Sequence, residues 1–195
     1  MRRVLIDPLS EPVQIALCDG GAIIRQAEAS AKDRAVALDE AFQALGEISG
    51  VQEVVVVNGP GNFTAIRAGI GYARGLGMAF GVQTRGISIL DVDQEFANGA
   101  RIVRDARGSR AYLAKVGDIY LIANAEIPKD AASFDDIDGV NQLSATANER
   151  MIALAKLASN GVGAIPACAN YIRPADAAPS NIVPPKIIAN KADDR

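Results

Sequence analysis

One segment of this sequence joins residue types and spacing that could do chemistry: Asn58-Gly59-Pro60-Gly61-Asn62-Phe63-Thr64-Ala65-Ile66-Arg67. Gly59 and Gly61 open backbone angles closed to other residues, and Pro60 stiffens the turn between them. Asn62 is a preferred N-cap whose oxygen can accept from the amide of Thr64 or Ala65. A helix start of this kind can hold an anion through free amides and the helix dipole. The same residues also make a tight strand-to-helix connection that needs no ligand. Elsewhere the chemistry is bounded by what is missing. The chain contains no histidine, which excludes a His-based triad, a His general base and a His-ligated metal. A peptidase would need Ser with Lys or a pair of Asp, and no such pairing stands out. No catalytic residue and no metal ligand is assigned.

Charge points the same way. Twenty Lys and Arg stand against 23 Asp and Glu, a net charge of −3. A protein that grips nucleic acid alone needs a dense basic field to neutralise phosphates. Arg101, Arg104, Arg107, Arg110 and Lys115, with Asp105 the only acid among them, could form a nucleic-acid-facing edge. Such a run reads first as a solvated strand face. No apolar run approaches the ~20 residues of a membrane span, and Asp7 interrupts the start where a secretory leader would continue. Cys18 and Cys168 form no pattern and are expected to be small core hydrophobes in a reducing compartment, by default the cytoplasm.

The elements that must position the loop come next. Val4-Leu5-Ile6, then Val13, Ile15 and Leu17 in alternation, then Ala22-Ile23-Ile24 after a turn at Asp19-Gly20-Gly21, predict an antiparallel meander. Ser30 with Asp33 resembles a capping box for a helix carrying Ala35, Leu38, Phe42 and Leu45 and ending at Gly46. Val54-Val55-Val56-Val57 predicts a strand buried on both faces. A helix to about Phe80 and a strand from Val82 to Ile87 follow. The order βββαβαβ describes an α/β unit, a mixed sheet flanked by helices, and it is the order of an actin-like (ASKHA, ribonuclease H-like) lobe. Beyond a lobe boundary near Asn98-Gly99, strands are expected around 102–103, 111–114 and 119–122. Residues 118–138 read as an acidic solvated surface, and Thr146 with Glu149 as the capping box of a last helix closed by Gly161 and Gly163. The tail from Pro179 to Arg195 is expected to be irregular. The chain thus divides into residues 1–98 and a reduced second lobe, 99–195, with no evident internal repeat.

The helix after the Gly-Pro-Gly loop has two apolar faces. Ile66, Ile70, Ala73, Gly77 and Phe80 make one; Ala65, Ala68, Gly69, Tyr72, Leu76 and Ala79 make the other. One sheet can cover only one of them. The second must meet the neighbouring helix at 32–45 or another protein. Gly69, Gly71, Gly75 and Gly77 each cost about 1 kcal/mol of helix propensity, a cost that close approach by a neighbour would justify.

In these motifs the sequence resembles the TsaB (YeaZ) family, whose hallmark is Gly-Pro-Gly-Ser-Phe-Thr-Gly, then a hydrophobe and Arg. Here it stands as Gly59-Pro60-Gly61-Asn62-Phe63-Thr64-Ala65-Ile66-Arg67, with Gly75-Leu76-Gly77 after it. Gly86-Ile87-Ser88-Ile89-Leu90, Asp105-Ala106-Arg107 with Tyr112, and Ala169-Asn170-Tyr171-Ile172-Arg173 match later family motifs in order. Asn62 stands in place of Ser, and Ala65 in place of Gly. Asp7-Pro8-Leu9-Ser10 takes the place of the Asp-Thr-Ser of the first phosphate loop, so Pro8 removes an amide donor and a hydroxyl.

The resemblance implies an actin-like, glycoprotease-family protein in tRNA threonylcarbamoyladenosine modification, a non-catalytic relative of the transferase TsaD. It implies pairing with TsaD through the two helices of the first lobe, at Phe42, Ala65, Ala68, Gly69, Tyr72 and Leu76, and with the ATPase TsaE joining them. It further implies a homodimer when TsaD is absent, contact with tRNA only through the complex, and no membrane. No cofactor is expected in the isolated chain, with Asp7 and Ser10 left as a degenerate phosphate loop and ATP confined to a partner interface. The alternatives are a small actin-fold kinase or ATPase gripping phosphate with Asp7 and the Gly59 loop, and a peptidase.

Overall fold

The expected meander forms as β1 (Arg2–Asp7), β2 (Val13–Asp19) and β3 (Ala22–Ala29), each antiparallel to the next. The structure is a computed structural model describing residues 1–115 and 118–172, with Lys115 described in its backbone alone. The expected irregular tail, 179–195, lies outside the described residues, as does Arg173. After α1 (Arg34–Ala44), the β-branched run forms β4 (Glu53–Val57), which pairs parallel with β1 and with β5 (Gln83–Ile87) across α2 (Phe63–Phe80). The sheet order is β3-β2-β1-β4-β5. Val54 and Val56 point with Val13, Ile15 and Leu17 into a core under α1 and α2. Val55 and Val57 point into a second core on the opposite face. Both faces are therefore dry, which is why β4 is apolar at four consecutive positions.

The second core is roofed by α3 (Ile89–Gln94) and α4 (Ala147–Ser159). Between them lie β6 (Arg101–Asp105), β7 (Arg110–Lys115), β8 (Asp118–Ala123), β9 (Ala131–Ser133) and β10 (Asn141–Gln142). They form a second mixed sheet in the order β10-β9-β6-β7-β8. The two sheets share one plan: a three-stranded antiparallel meander, then two strands added in parallel on its first strand. That repetition is absent from the sequence. Each half also sends its last helix across to the other. α3 packs on β6, and α4 packs on β1, β2, β3 and β5.

Three expectations are corrected. Ser30 is not the N-cap of α1. The chain is still extended through Ala29, and Asp33 caps the helix by accepting from the Ala35 amide at 2.8 Å. The stretch 118–138 is not all solvated surface, because Ala131, Ala132, Ser133 and Ile137 are buried. Its Asp135 can sit at the sheet because Arg104 neutralises it at 2.8 Å. Cys168 is exposed, whereas Cys18 is buried in the second core. Burial also pushes the Cys18 thiol above its ordinary value, with nearby Arg3 opposing. Since the thiolate is the nucleophile, native protein treated with iodoacetamide should carry a single adduct, at Cys168, by peptide mass spectrometry. A second adduct should appear only after unfolding.

The glycines of α2 separate into two kinds. A Cβ on Gly69 would sit 2.4 Å from Pro8 Cγ, and one on Gly77 would sit 2.6 Å from Thr84 Cγ2. Gly71 and Gly75 face open space. Gly69→Ala should therefore destabilise the fold by about 1–3 kcal/mol through overpacking. Gly71→Ala should stabilise it by up to about 1 kcal/mol through helix propensity. Urea denaturation of the two variants checks both signs.

Candidate functional site

Gly59 places the loop. Its φ is +108°, and a Cβ there would meet Ile66 Cδ1 at 2.7 Å and the Asn170 carbonyl oxygen at 3.2 Å, so only glycine fits. The Gly59 carbonyl accepts from the Ile89 amide at 2.9 Å and the Ser88 hydroxyl at 3.2 Å, tying the loop to α3. Pro60 is buried behind it. Asn62 caps α2 by accepting from the Ala65 amide at 3.0 Å, one of the two amides expected. Gly61, Asn62, Phe63 and Thr64 then line the open side of the loop.

That open side is one wall of a cleft of about 750 Å³ between the two sheets. The opposite wall carries Asp105, Arg107 and Tyr112, and the rim carries Tyr171. Three motifs far apart in sequence thus meet at one place. At the mouth, the Phe63 and Tyr171 rings stack at 4.7 Å, and the Arg67 guanidinium lies 5.2 Å from the Phe63 ring centre. Charge in the lining is close to balanced, with Arg104 and Arg107 against Asp105, Asp135 and Asp136. The described lining offers no Lys, His, Ser or Cys, so a nucleophile would have to come from Thr64, Tyr112 or Tyr171 or from a carboxylate.

Asp7 and Ser10 stand beside this cleft but are spent on each other. Asp7 is buried, and its Oδ1 accepts from the Leu9 and Ser10 amides at 2.9 and 3.2 Å. Its Oδ2 accepts from the Ser10 hydroxyl at 2.6 Å and lies 4.0 Å from Arg150 Nε. Pro8 contributes no amide, so the donors left in this loop already serve its own carboxylate.

The comparisons with known proteins bear on these motifs. The family model for TsaD, tRNA N6-adenosine threonylcarbamoyltransferase, matches residues 25–180. The chain belongs to the TsaD family. Among curated proteins, no sequence matches. In fold, the chain is similar to YeaZ from Pseudomonas aeruginosa, with a TM-score of 0.65 at 20% identity, covering 83% of this chain and 94% of that one. It is similar also to an uncharacterized protein with similarity to peptidase YeaZ from Pseudomonas aeruginosa, at TM-score 0.65 and 16% identity, covering 88% and 99%. The TsaB (YeaZ) kinship expected from the Gly59–Arg67 motif agrees with this family and with the actin-like α/β fold of two mixed sheets flanked by helices.

Within this TsaD-family chain, the residues expected at a pairing surface fall into two groups. Ala65 and Gly69 are buried inside the chain, Gly69 against Pro8. Phe42, Ala68, Tyr72 and Leu76 are half-buried between α1 and α2. The Phe42 ring meets Tyr72 edge-on at 6.1 Å, and the Tyr72 hydroxyl donates to Asp39 Oδ1 at 3.3 Å. Burial, with Asp39 adding to it, holds the Tyr72 phenol well above its ordinary value, so it stays neutral. The second apolar face of α2 is thus largely covered by α1. What α2 leaves open is a third strip, Arg67, Gly71, Gly75 and Met78, with Met78 85% exposed.

The most buried charges escaped the sequence reading. Asp93 of α3 is wholly buried and accepts from Arg104 through both oxygens and from Arg150 Nη1 at 2.9 Å. Arg104 also donates to Asp135, and the Phe134 ring lies near both guanidiniums, at 5.5 and 4.8 Å. Arg104 therefore does not belong to a solvated strand face. Arg101 does, in an exposed pair with Asp130; the Lys115 side chain lies outside the described residues. A signal did exist. Asp93 follows Leu90 and Ile89 at i+3 and i+4 spacing, so an acid sits on an apolar stripe.

Proposed function

We propose that this chain is a non-catalytic scaffold subunit that pairs with TsaD in threonylcarbamoyl transfer to tRNA adenosine. The observation that carries the reading is the outer surface of the helix layer. α2 exposes Met78 and, over open space, Gly71 and Gly75, while α1 beside it exposes Val36 at 47%. Exposed apolar side chains beside small residues let another helix approach closely, as an obligate interface requires. Phe42, Ala68, Tyr72 and Leu76 support this surface from beneath. In the same reading the half up to residue 98 carries the pairing helices, and the half from residue 99 is reduced. Without TsaD the surface self-pairs into a symmetric dimer.

Two features support the absence of catalysis. The chain has no histidine for a His-ligated metal site, and Asp7 is saturated by its own loop. ATP therefore meets this chain only at a partner interface. TsaE joins the pair, tRNA is reached through the complex, and the setting is the cytoplasm; no helix among the described residues is long and apolar enough to cross a membrane. Light scattering of the chain mixed with TsaD from its own organism tests the reading. The expected mass is that of a one-to-one complex, and two unmixed species would overturn it.

A further inference from the structure

Each sheet has two edges, and the chain itself manages three of the four. β5 is covered: Gly86 and Ala164 exchange backbone bonds at 2.9 and 3.0 Å, and the Ala167 amide reaches the Thr84 carbonyl at 3.0 Å. β3 carries Arg25 and Glu28 and runs past a bulge against β2, and both features discourage a further strand. β10 has only two residues. β8 is different. It holds no Lys, Arg or Pro, and Ile119-Tyr120-Leu121-Ile122 is apolar at every position. Ile119 and Leu121 pack on the second core, and Ile122 on a small cluster around Val103 and Ala111. Tyr120 is 46% exposed.

The ladder alternation identifies the groups this edge leaves open. The Asn124 amide donates to the Ser109 carbonyl at 3.0 Å. From the register of β7 and β8, the amides of Ile122 and Tyr120 therefore also face β7, while those of Ala123, Leu121 and Ile119 face away. Glu126 takes the Ala123 amide at 3.1 Å. The amides and carbonyls of Ile119 and Leu121 meet no partner among the described residues. An open row of this kind on an apolar strand is a template for another strand.

One stretch of this chain, outside the described residues, suits that edge. Lys186-Ile187-Ile188-Ala189-Asn190-Lys191 follows Pro184-Pro185, contains no proline, is β-branched at two positions and is basic at both ends. The described chain runs to Ile172, which shares the cleft wall with Tyr112 of β7. Tyr112 stands opposite Leu121, so the far side of β8 lies two strand spacings, about 10 Å, beyond it. Residues 173–185 span up to about 45 Å when extended. Antiparallel addition with Ile188 opposite Leu121 uses the open groups of Leu121 and Ile119. It also sets Ile187 beside Ile122 and Lys191 beside Asp118. A second copy of β8 holds no cation to place there.

We propose that residues 186–191 add to β8 as an antiparallel sixth strand of the second sheet, in place of the irregular course expected of the tail. The proposal does not depend on pairing with TsaD. Hydrogen exchange in the ¹⁵N-labelled full chain, followed by NMR, tests it. The Ile119 and Leu121 amides are expected to exchange at least about 100-fold more slowly than exposed amides, in step with Tyr120 and Ile122. A nuclear Overhauser contact is expected between the α-protons of Tyr120 and Ala189, which would form a close non-hydrogen-bonded pair. Ile188→Pro removes the donor to the Leu121 carbonyl and breaks the added strand. It should speed exchange at Ile119 and Leu121 about tenfold or more and leave Tyr120 and Ile122 slow. Fast exchange at Ile119 and Leu121 in the unaltered chain overturns the proposal, as does absence of the Tyr120–Ala189 contact. So does protection that survives Ile188→Pro, or protection that fades on dilution and so marks a second copy on the edge.

Discussion

Gly75→Arg abolishes pairing with TsaD and leaves the monomer folded: this is the expected result with the largest effect on function. Nothing lies within 4 Å of a Cβ built on Gly75, and the residue is exposed. In the free chain the new arginine is solvated, and it favours the helix over glycine by up to about 1 kcal/mol. In the proposed complex it would be trapped, desolvated, between helices. An unpaired buried charge of this kind costs about 3–5 kcal/mol, a loss of roughly 100-fold or more in affinity. Gly69 would make a poor substitute. Its neighbour is Pro8 of the same chain, so an arginine there would report on folding rather than on pairing. Calorimetry of the variant against TsaD, with circular dichroism as the folding control, decides the matter. A folded Gly75→Arg chain that binds TsaD with unchanged affinity would show that this strip of α2 is not the contact.

The shift from Gly69 to Gly75 marks how far the sequence could be read. Periodicity correctly marked α2 as apolar on more than one side. It named the helix at 32–45 as one possible cover but could not choose between it and another protein, nor foresee Pro8 against Gly69, because both depend on long-range contacts. The first sheet was legible for a related reason. Val54 to Val57 and the alternation in β2 are local patterns imposed by dry faces. In the second half the strands are short, and β9 has only three residues and β10 two. Such segments carry too little pattern to betray burial, so β9 vanished into an acidic stretch. Asp135 looked solvated because its counter-ion, Arg104, comes from β6.

The loop was legible in the same local way. The Gly59 conformation and the Asn62 cap both follow from neighbouring residues. Their convergence with Arg107, Tyr112 and Tyr171 on one cleft could be anticipated only as motif order. Buried ion pairs were the least legible feature, since a charge on an apolar stripe declares that it is paired without naming its partner.

Those pairs carry the last prediction, Asp93→Ala. Asp93 joins α3 to β6 through Arg104 and to α4 through Arg150, so one carboxylate ties together elements of both halves. Its removal strands two largely buried guanidiniums. Arg104 keeps Asp135 at 2.8 Å, but Arg150 is left with Asp7 at 4.0 Å, a carboxylate already occupied by its own loop. Breaking a buried pair on one side costs about 3–5 kcal/mol. For a chain of this size that corresponds to a fall of roughly 10 °C in Tm. Arg101→Ala removes an ion pair as well, but an exposed one, and water replaces its partner; no measurable fall is expected there. The apolar triple variant Asp93→Leu, Arg104→Met, Arg150→Met should recover much of the Asp93→Ala loss, because the damage lies in the stranded charges and not in the lost attraction. Differential scanning calorimetry of the three variants separates the effects. Equal Tm values for Asp93→Ala and Arg101→Ala would mean that water reaches the Asp93 site and that this ion cluster does not help to hold the two halves together.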